Sequence, residues 1–334
     1  MKGRRRWLVA ALDRGVWALL LAVWAAFGLL SDDFLTASNL SNVLVQASSV
    51  TILAIGMTFV LLTAGVDLSV GSIMLLAAAA AGKLAVAGWP FAACLLAMVS
   101  AGLAAGLVNA ALITRLGVIP FVATLGTLYV GRGVGLWATE TRAINLPAEF
   151  LAMGTARLLG VPLPIWIVVV VAAAGQLTLS RTVFGLHVLA IGHDAAAAQK
   201  AGVATRRVLA AVYAIAGLSA ALAGLVSLGQ LGTVSPTFGE GREFTAIAAA
   251  VVGGTSLFGG RGSVFPGAVL GAVLIQSIDN GLVLLNADPY LYPIVVSGII
   301  FAAVLLDGVR TSLLRRLQRR PIFIDLAEST REPI

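Results

Sequence analysis

Apolar runs of near-bilayer length, separated by short polar clusters, dominate this chain. Ten candidate spans fall at about 15–31, 46–65, 69–87, 91–113, 118–138, 163–180, 208–231, 243–259, 264–285 and 290–308. Each approaches the roughly 20 residues a helix needs to cross a hydrocarbon core of about 30 Å. None alternates with period two, so the pattern predicts an all-α polytopic membrane protein and excludes a barrel. The stretch Phe34-Leu-Thr-Ala-Ser-Asn-Leu40-Ser-Asn-Val is too polar to span and reads as a short interfacial helix. Small-residue spacings such as Gly102-Leu-Ala-Ala-Gly106 fit close helix–helix approach, and equally the ordinary glycine background of membrane helices.

Composition agrees. Hydrophobic residues make up 59% of the 334 residues and charged residues 11%, against about 25% charged in an ordinary soluble domain. The net charge of +7 could point to nucleic acid, but its distribution points to lipid. Basic residues gather at the chain ends and in short loops. With the N-terminus inside, seventeen of the 22 Lys and Arg fall on the inner side and four on the outer, with Arg132 inside a span. Both termini are therefore expected in the cytoplasm, and an even number of spans, ten ahead of eight. The opening Met1-Lys-Gly-Arg4-Arg-Arg6, followed by an apolar run, reads as an uncleaved signal anchor. The single cysteine, Cys94, is a packing residue, and two histidines give no metal-ligand cluster.

The chemistry lies in the polar residues that interrupt the runs. Between the second and third spans sit Gly65, Asp67, Ser69, Gly71 and Ser72, with almost no polar spacer. A charged group at a span centre costs roughly 2.5–3.5 kcal/mol on insertion scales, and glycines beside it fit a broken helix or hinge on a transport path. A plain turn in which Asp67 caps the next helix is the alternative. Gln46, Thr58, Asn109, Thr124, Thr127, Gln230, Gln276 and Asn280 are candidates to line a pathway, because a desolvated polyol needs replacement hydrogen bonds. Interhelical hydrogen bonding is their plainer role. Asp279 and Asn280 near one outer end, and Glu240, Arg242 and Glu243 at another, read as gate or receptor-contact residues, with ordinary interfacial anchoring as the alternative. In the basic inner loop 181–207, Asp194 can cap a short Ala-rich helix and Gly202 can end it. No Gly-x-x-x-x-Gly-Lys-Ser/Thr stretch occurs, so the chain lacks that device for holding nucleotide phosphates.

Four ordered stretches carry a family resemblance. They are Thr63-Ala-Gly-Val-Asp67-Leu-Ser-Val-Gly-Ser72, the segment from Asn109 to Thr127, Arg181-Thr-Val-Phe-Gly-Leu-His187-Val-Leu-Ala-Ile-Gly192, and the segment from Ala248 to Ser263. Together they resemble the sugar-type ABC importer permeases for ribose, galactose and arabinose, over roughly residues 35 to 310. The resemblance implies a single permease domain over 1–334 that moves a ribose-like pentose or a hexose by alternating access. It also implies a second permease copy, a cytoplasmic ATPase that binds ATP and Mg, a periplasmic sugar-binding protein and a bacterial inner membrane. No cofactor would reside in this chain. Asp194, Ala197, Ala198, Gln199, Lys200 and Gly202 correspond to the coupling helix that docks on the ATPase. The family usually carries two acidic residues where Ala195 and Ala196 stand, which leaves docking to shape and to Asp194, Gln199 and Lys200. A nucleoside or sugar-derived signal is the alternative cargo, and branched-chain amino acids a more distant one. An ion-coupled carrier, using Asp67 and Asp279, is the alternative class.

Overall fold

The computed structural model describes residues 15–299 together with 301, 302, 305 and 308. The basic N-terminal stretch and the tail after Arg310 lie outside these residues. The chain runs through α1 (Gly15–Leu30), α2 (Ala37–Leu62), α3 (Val70–Val86), α4 (Phe91–Thr114), α5 (Pro120–Thr139), α6 (Ala148–Thr155) and α7 (Leu163–Arg181). It continues through α8 (Val183–His193), α9 (Ala195–Lys200), α10 (Thr205–Leu231), α11 (Arg242–Val252), a π-turn (Val264–Ala268) and α12 (Val269–Leu284). A further helix, α13, covers 291–299. Among the described residues, five stretches are long and apolar enough to cross a membrane: α2, α4, α7, α10 and the continuous Val264–Leu284. Helices α1, α3 and α8 are shorter and apolar. The chain is a multi-pass helical membrane protein.

The core lies around α2 and α10. Every residue of α2 from Ala47 to Leu62 is buried. Helix α10 meets α4 along a glycine seam: a methyl placed on Gly106 would lie 3.2 Å from the Cα of Gly217. Backbone approach of this kind gives dense packing between apolar helices, where water exclusion contributes nothing inside lipid. The two-residue strands β1 (Ile144–Asn145) and β4 (Thr233–Val234) pair antiparallel, Ile144 opposite Val234. Strands β2 (Arg157–Leu158) and β3 (Val161–Pro162) form a second small hairpin.

Three local expectations are corrected. The polar stretch at 34–43 is no separate interfacial helix, since α2 runs unbroken from Ala37. The Thr36 side chain accepts from the N–H of Asn39 at 3.3 Å, and Asn39 Nδ2 donates to the Phe34 carbonyl at 2.9 Å, so its polar groups are satisfied within a continuous helix. Loop 181–207 holds two helices, α8 as well as the short α9. The stretch at 243–259 is helical only over the 11 residues Arg242–Val252, about 16 Å at 1.5 Å per residue. Its missing half is the segment before it. Val234 lies against Gly82 of α3, whereas Gly239 and Glu243 lie against Gly71, lower on the same helix. The chain therefore descends along α3 in turns, and α11 starts at depth. Gly239 makes this descent possible through a positive φ of 74°.

Candidate functional site

The break between α2 and α3 gathers most of the polar residues at the end of the bundle that carries α8 and α9. Asp67 is fully buried. Its Oδ1 accepts from the Ser69 N–H at 2.9 Å and from Ser69 Oγ at 2.6 Å. Asn109 of α4 donates through Nδ2 to Ser69 Oγ at 2.7 Å, and Thr127 of α5 donates to Asn109 Oδ1 at 2.7 Å. Thr124 donates to the Val66 carbonyl at 3.2 Å, and Ser72 to the Ser69 carbonyl at 2.8 Å. Asp67, Ser69, Ser72, Asn109, Thr124 and Thr127 thus form one network that ties the break to α4 and α5. Thr58 stands apart, because its hydroxyl donates to the Ala54 carbonyl of its own helix at 2.7 Å.

Two residues that the sequence did not single out as partners complete this region. Tyr213 of α10 is fully buried, and its hydroxyl would stand 2.7 Å from a methyl placed on Gly65. Neither Tyr213 Oη nor Asp67 Oδ2 has a hydrogen-bond partner among the described residues. Glu243 is buried against Gly71 rather than exposed at an outer end, and its Oε2 also has no partner there. Arg132 of α5 donates to the Phe238 carbonyl at 2.7 Å, in the turns that lead into α11. A lone tyrosine in an apolar run was the available signal for Tyr213, since a buried phenol normally has a partner.

The loop end is built to hold α9 outward. Asp194 Oδ1 accepts from the Ala197 N–H at 2.9 Å, and Gly202 leaves the helix with φ 87°. Ala195, Ala196, Ala197, Gln199 and Lys200 face outward, while Ala198 turns into the core. Gly192, two residues before the cap, lies directly against the Leu62 carbonyl and the Gly260 N–H. Those two groups are themselves hydrogen-bonded at 2.9 Å. Helix α8 therefore touches the last turn of α2, just before the break.

The opposite end carries the amides. Gln276 Nε2 donates to Gln46 Oε1 at 3.0 Å and to Asp279 Oδ2 at 3.1 Å. Asn280 and Asn39 exchange two hydrogen bonds, at 2.8 and 3.0 Å. Gln230 Nε2 donates to the Val45 carbonyl at 2.8 Å. A cavity of about 300 Å³ lies here between α2, α6 and the end of α10. Among the described residues, no group of three His, Cys, Asp or Glu is placed to hold a metal.

Residues 39–305 match the family described as branched-chain amino acid transport system / permease component. The chain belongs to this family. The ribose import permease protein RbsC of Bacillus subtilis (strain 168) is 39% identical over 302 residues, covering 89% of this chain and 92% of that protein. The D-allose transport system permease protein AlsC of Escherichia coli (strain K12) is 36% identical over 296 residues, 88% and 90% of the two chains. The autoinducer 2 import system permease protein LsrC of Escherichia coli (strain K12 / DH10B) is 37% identical over 306 residues, 90% and 89%. No solved structure matches the permease. All three relatives are named as permease proteins of transport or import systems.

Proposed function

We propose that this permease is the transmembrane subunit of an ATP-driven ABC importer for a monosaccharide, a ribose-like pentose or a hexose. It works in the bacterial inner membrane beside a second permease copy. Both termini and the α8–α9 loop face the cytoplasm, where a separate ATPase binds ATP and Mg. A periplasmic binding protein delivers sugar to the opposite end. Relatives named for ribose, allose and autoinducer 2 support a sugar-like cargo over an amino acid.

The observation that carries this reading is the backbone contact of Gly192 with Leu62 and Gly260. It joins the capped, outward-facing α9 to the break at Thr63–Ser69 with no side chain between to absorb a displacement. An ATPase that pulls on α9 would move α8, and α8 would move the end of α2. The Asp67–Ser69–Asn109–Thr127 network then carries the shift into α4 and α5. Alternating access follows if this end opens as the amide-rich end closes. Asp67 acts here as an acceptor that fixes the break and not as a coupling ion site.

The test is uptake of D-ribose and D-allose by the permease reconstituted with its ATPase and binding protein, with ion gradients collapsed. ATP-dependent accumulation is expected. Uptake that ignores ATP and follows an ion gradient would make this an ion-coupled carrier.

A further inference from the structure

We infer that the cavity between α2, α6 and the end of α10 is a binding station for one uncharged polyol ring. The inference rests on the import reading and specifies where the cargo is held at the end remote from α9.

Four polar side chains line the space: Asn42, Gln46, Thr155 and Gln230. Val45 and Leu151 supply apolar walls, and no charged side chain takes part. Each amide offers both donors and acceptors, so it can meet a sugar hydroxyl in either sense. Two of these amides are already fixed by the protein. Gln46 Oε1 accepts from Gln276, and Gln230 Nε2 donates to the Val45 carbonyl, each with bonding capacity left over. The apolar walls suit the C–H faces of a sugar ring. A zwitterionic amino acid would bring an ammonium and a carboxylate, and no lining side chain supplies a counter-charge to either. The volume of about 300 Å³ lies at the small end of the roughly 300–1,000 Å³ typical of small-molecule pockets, suited to one ring and not a chain of them.

The boundary of the cavity is set by backbone. A methyl placed on Gly229 would lie 2.9 Å from the Gly154 nitrogen, so α6 rests directly on α10 and closes one side. Asn42, Gln46, Thr155 and Gln230 are themselves exposed. Exposed amides on α2 and α10 would be misplaced against lipid tails and fit a water-filled vestibule.

The experiment uses full-length permease in nanodiscs, carrying Cys94→Ser and Asn42→Cys, and measures the rate of modification by a small hydrophilic maleimide. D-ribose or D-allose should slow the reaction about threefold at twice its dissociation constant. L-leucine at the same concentrations should not. Adding Gln230→Leu or Thr155→Val should shift the protection curve to higher sugar concentration. Thr155→Cys replaces Asn42→Cys as reporter if the latter does not fold. A rate untouched by sugar, equal protection by leucine, or protection indifferent to both added substitutions would overturn the inference. Uptake by the complete importer reads the function separately. ATP-driven ribose uptake without protection removes the station and leaves the function. Protection without uptake of either sugar removes the function and leaves the station.

Discussion

Asp67 holds a sharp turn in place by accepting two hydrogen bonds from one residue, the N–H and the hydroxyl of Ser69. An asparagine there still offers Oδ1 to both donors. Alanine leaves the buried Ser69 N–H without its acceptor, at about 1–3 kcal/mol. Asp67→Ala should therefore lose most uptake while still inserting, and Asp67→Asn should keep more of it. Wild-type uptake by the alanine variant would reduce the motif to a plain turn. At this scale the sequence was informative because polar residues in apolar runs are few, and each must satisfy its groups. It could not say with whom. Thr58 and Thr127 look alike in their runs, yet one bonds only back to Ala54 while the other reaches Asn109 across helices. Helical facing relative to neighbours decides that, and a single chain does not reveal it. Tyr213 escaped notice for the same reason.

Helix α9 was legible down to both ends, because capping is local chemistry: Asp194 before it and Gly202 after it act through their own backbone neighbours. Its facing is the new information. Ala197 points outward and Ala198 inward, so adjacent alanines should respond differently to bulk. If α9 docks on the ATPase as proposed, Ala197→Trp should overpack that contact by about 1–3 kcal/mol, by analogy with filled cores. Co-purification of the ATPase and ATP-dependent uptake should both fall, with sugar binding to the isolated receptor unchanged. Unaltered co-purification would detach α9 from the ATPase. Helix α11 was misread as a full span, since hydropathy sums apolar residues without reporting where along the normal a helix begins. The descent past Gly82 to Gly71 is a tertiary fact, made by close packing on α3.

For the whole molecule, class and helical content followed from apolar run length, which lipid imposes on any spanning chain. Orientation rests on where Lys and Arg accumulate. The expected outcome is cytoplasmic placement of 181–207 and the tail after Arg310, with 139–162 outside. Single cysteines in a Cys94→Ser background test it: a membrane-impermeant thiol reagent added outside should label 139–162 and spare position 199. Outside labelling of Gln199→Cys would invert the topology and move the ATPase to the wrong face.

The Gly102–Gly106–Gly217 seam between α4 and α10 has a mechanical meaning as well as a packing one. Interlocked side chains behave as gear teeth, which must unmesh before two helices can shift. Here the Ala221 methyl and the Gly217 carbonyl fill the notch at Gly102, and the Tyr213 carbonyl fills the notch at Gly106, so the two helices mesh backbone against backbone. Helices meshed this closely have no slack between them, so any displacement of α10 carries α4 with it.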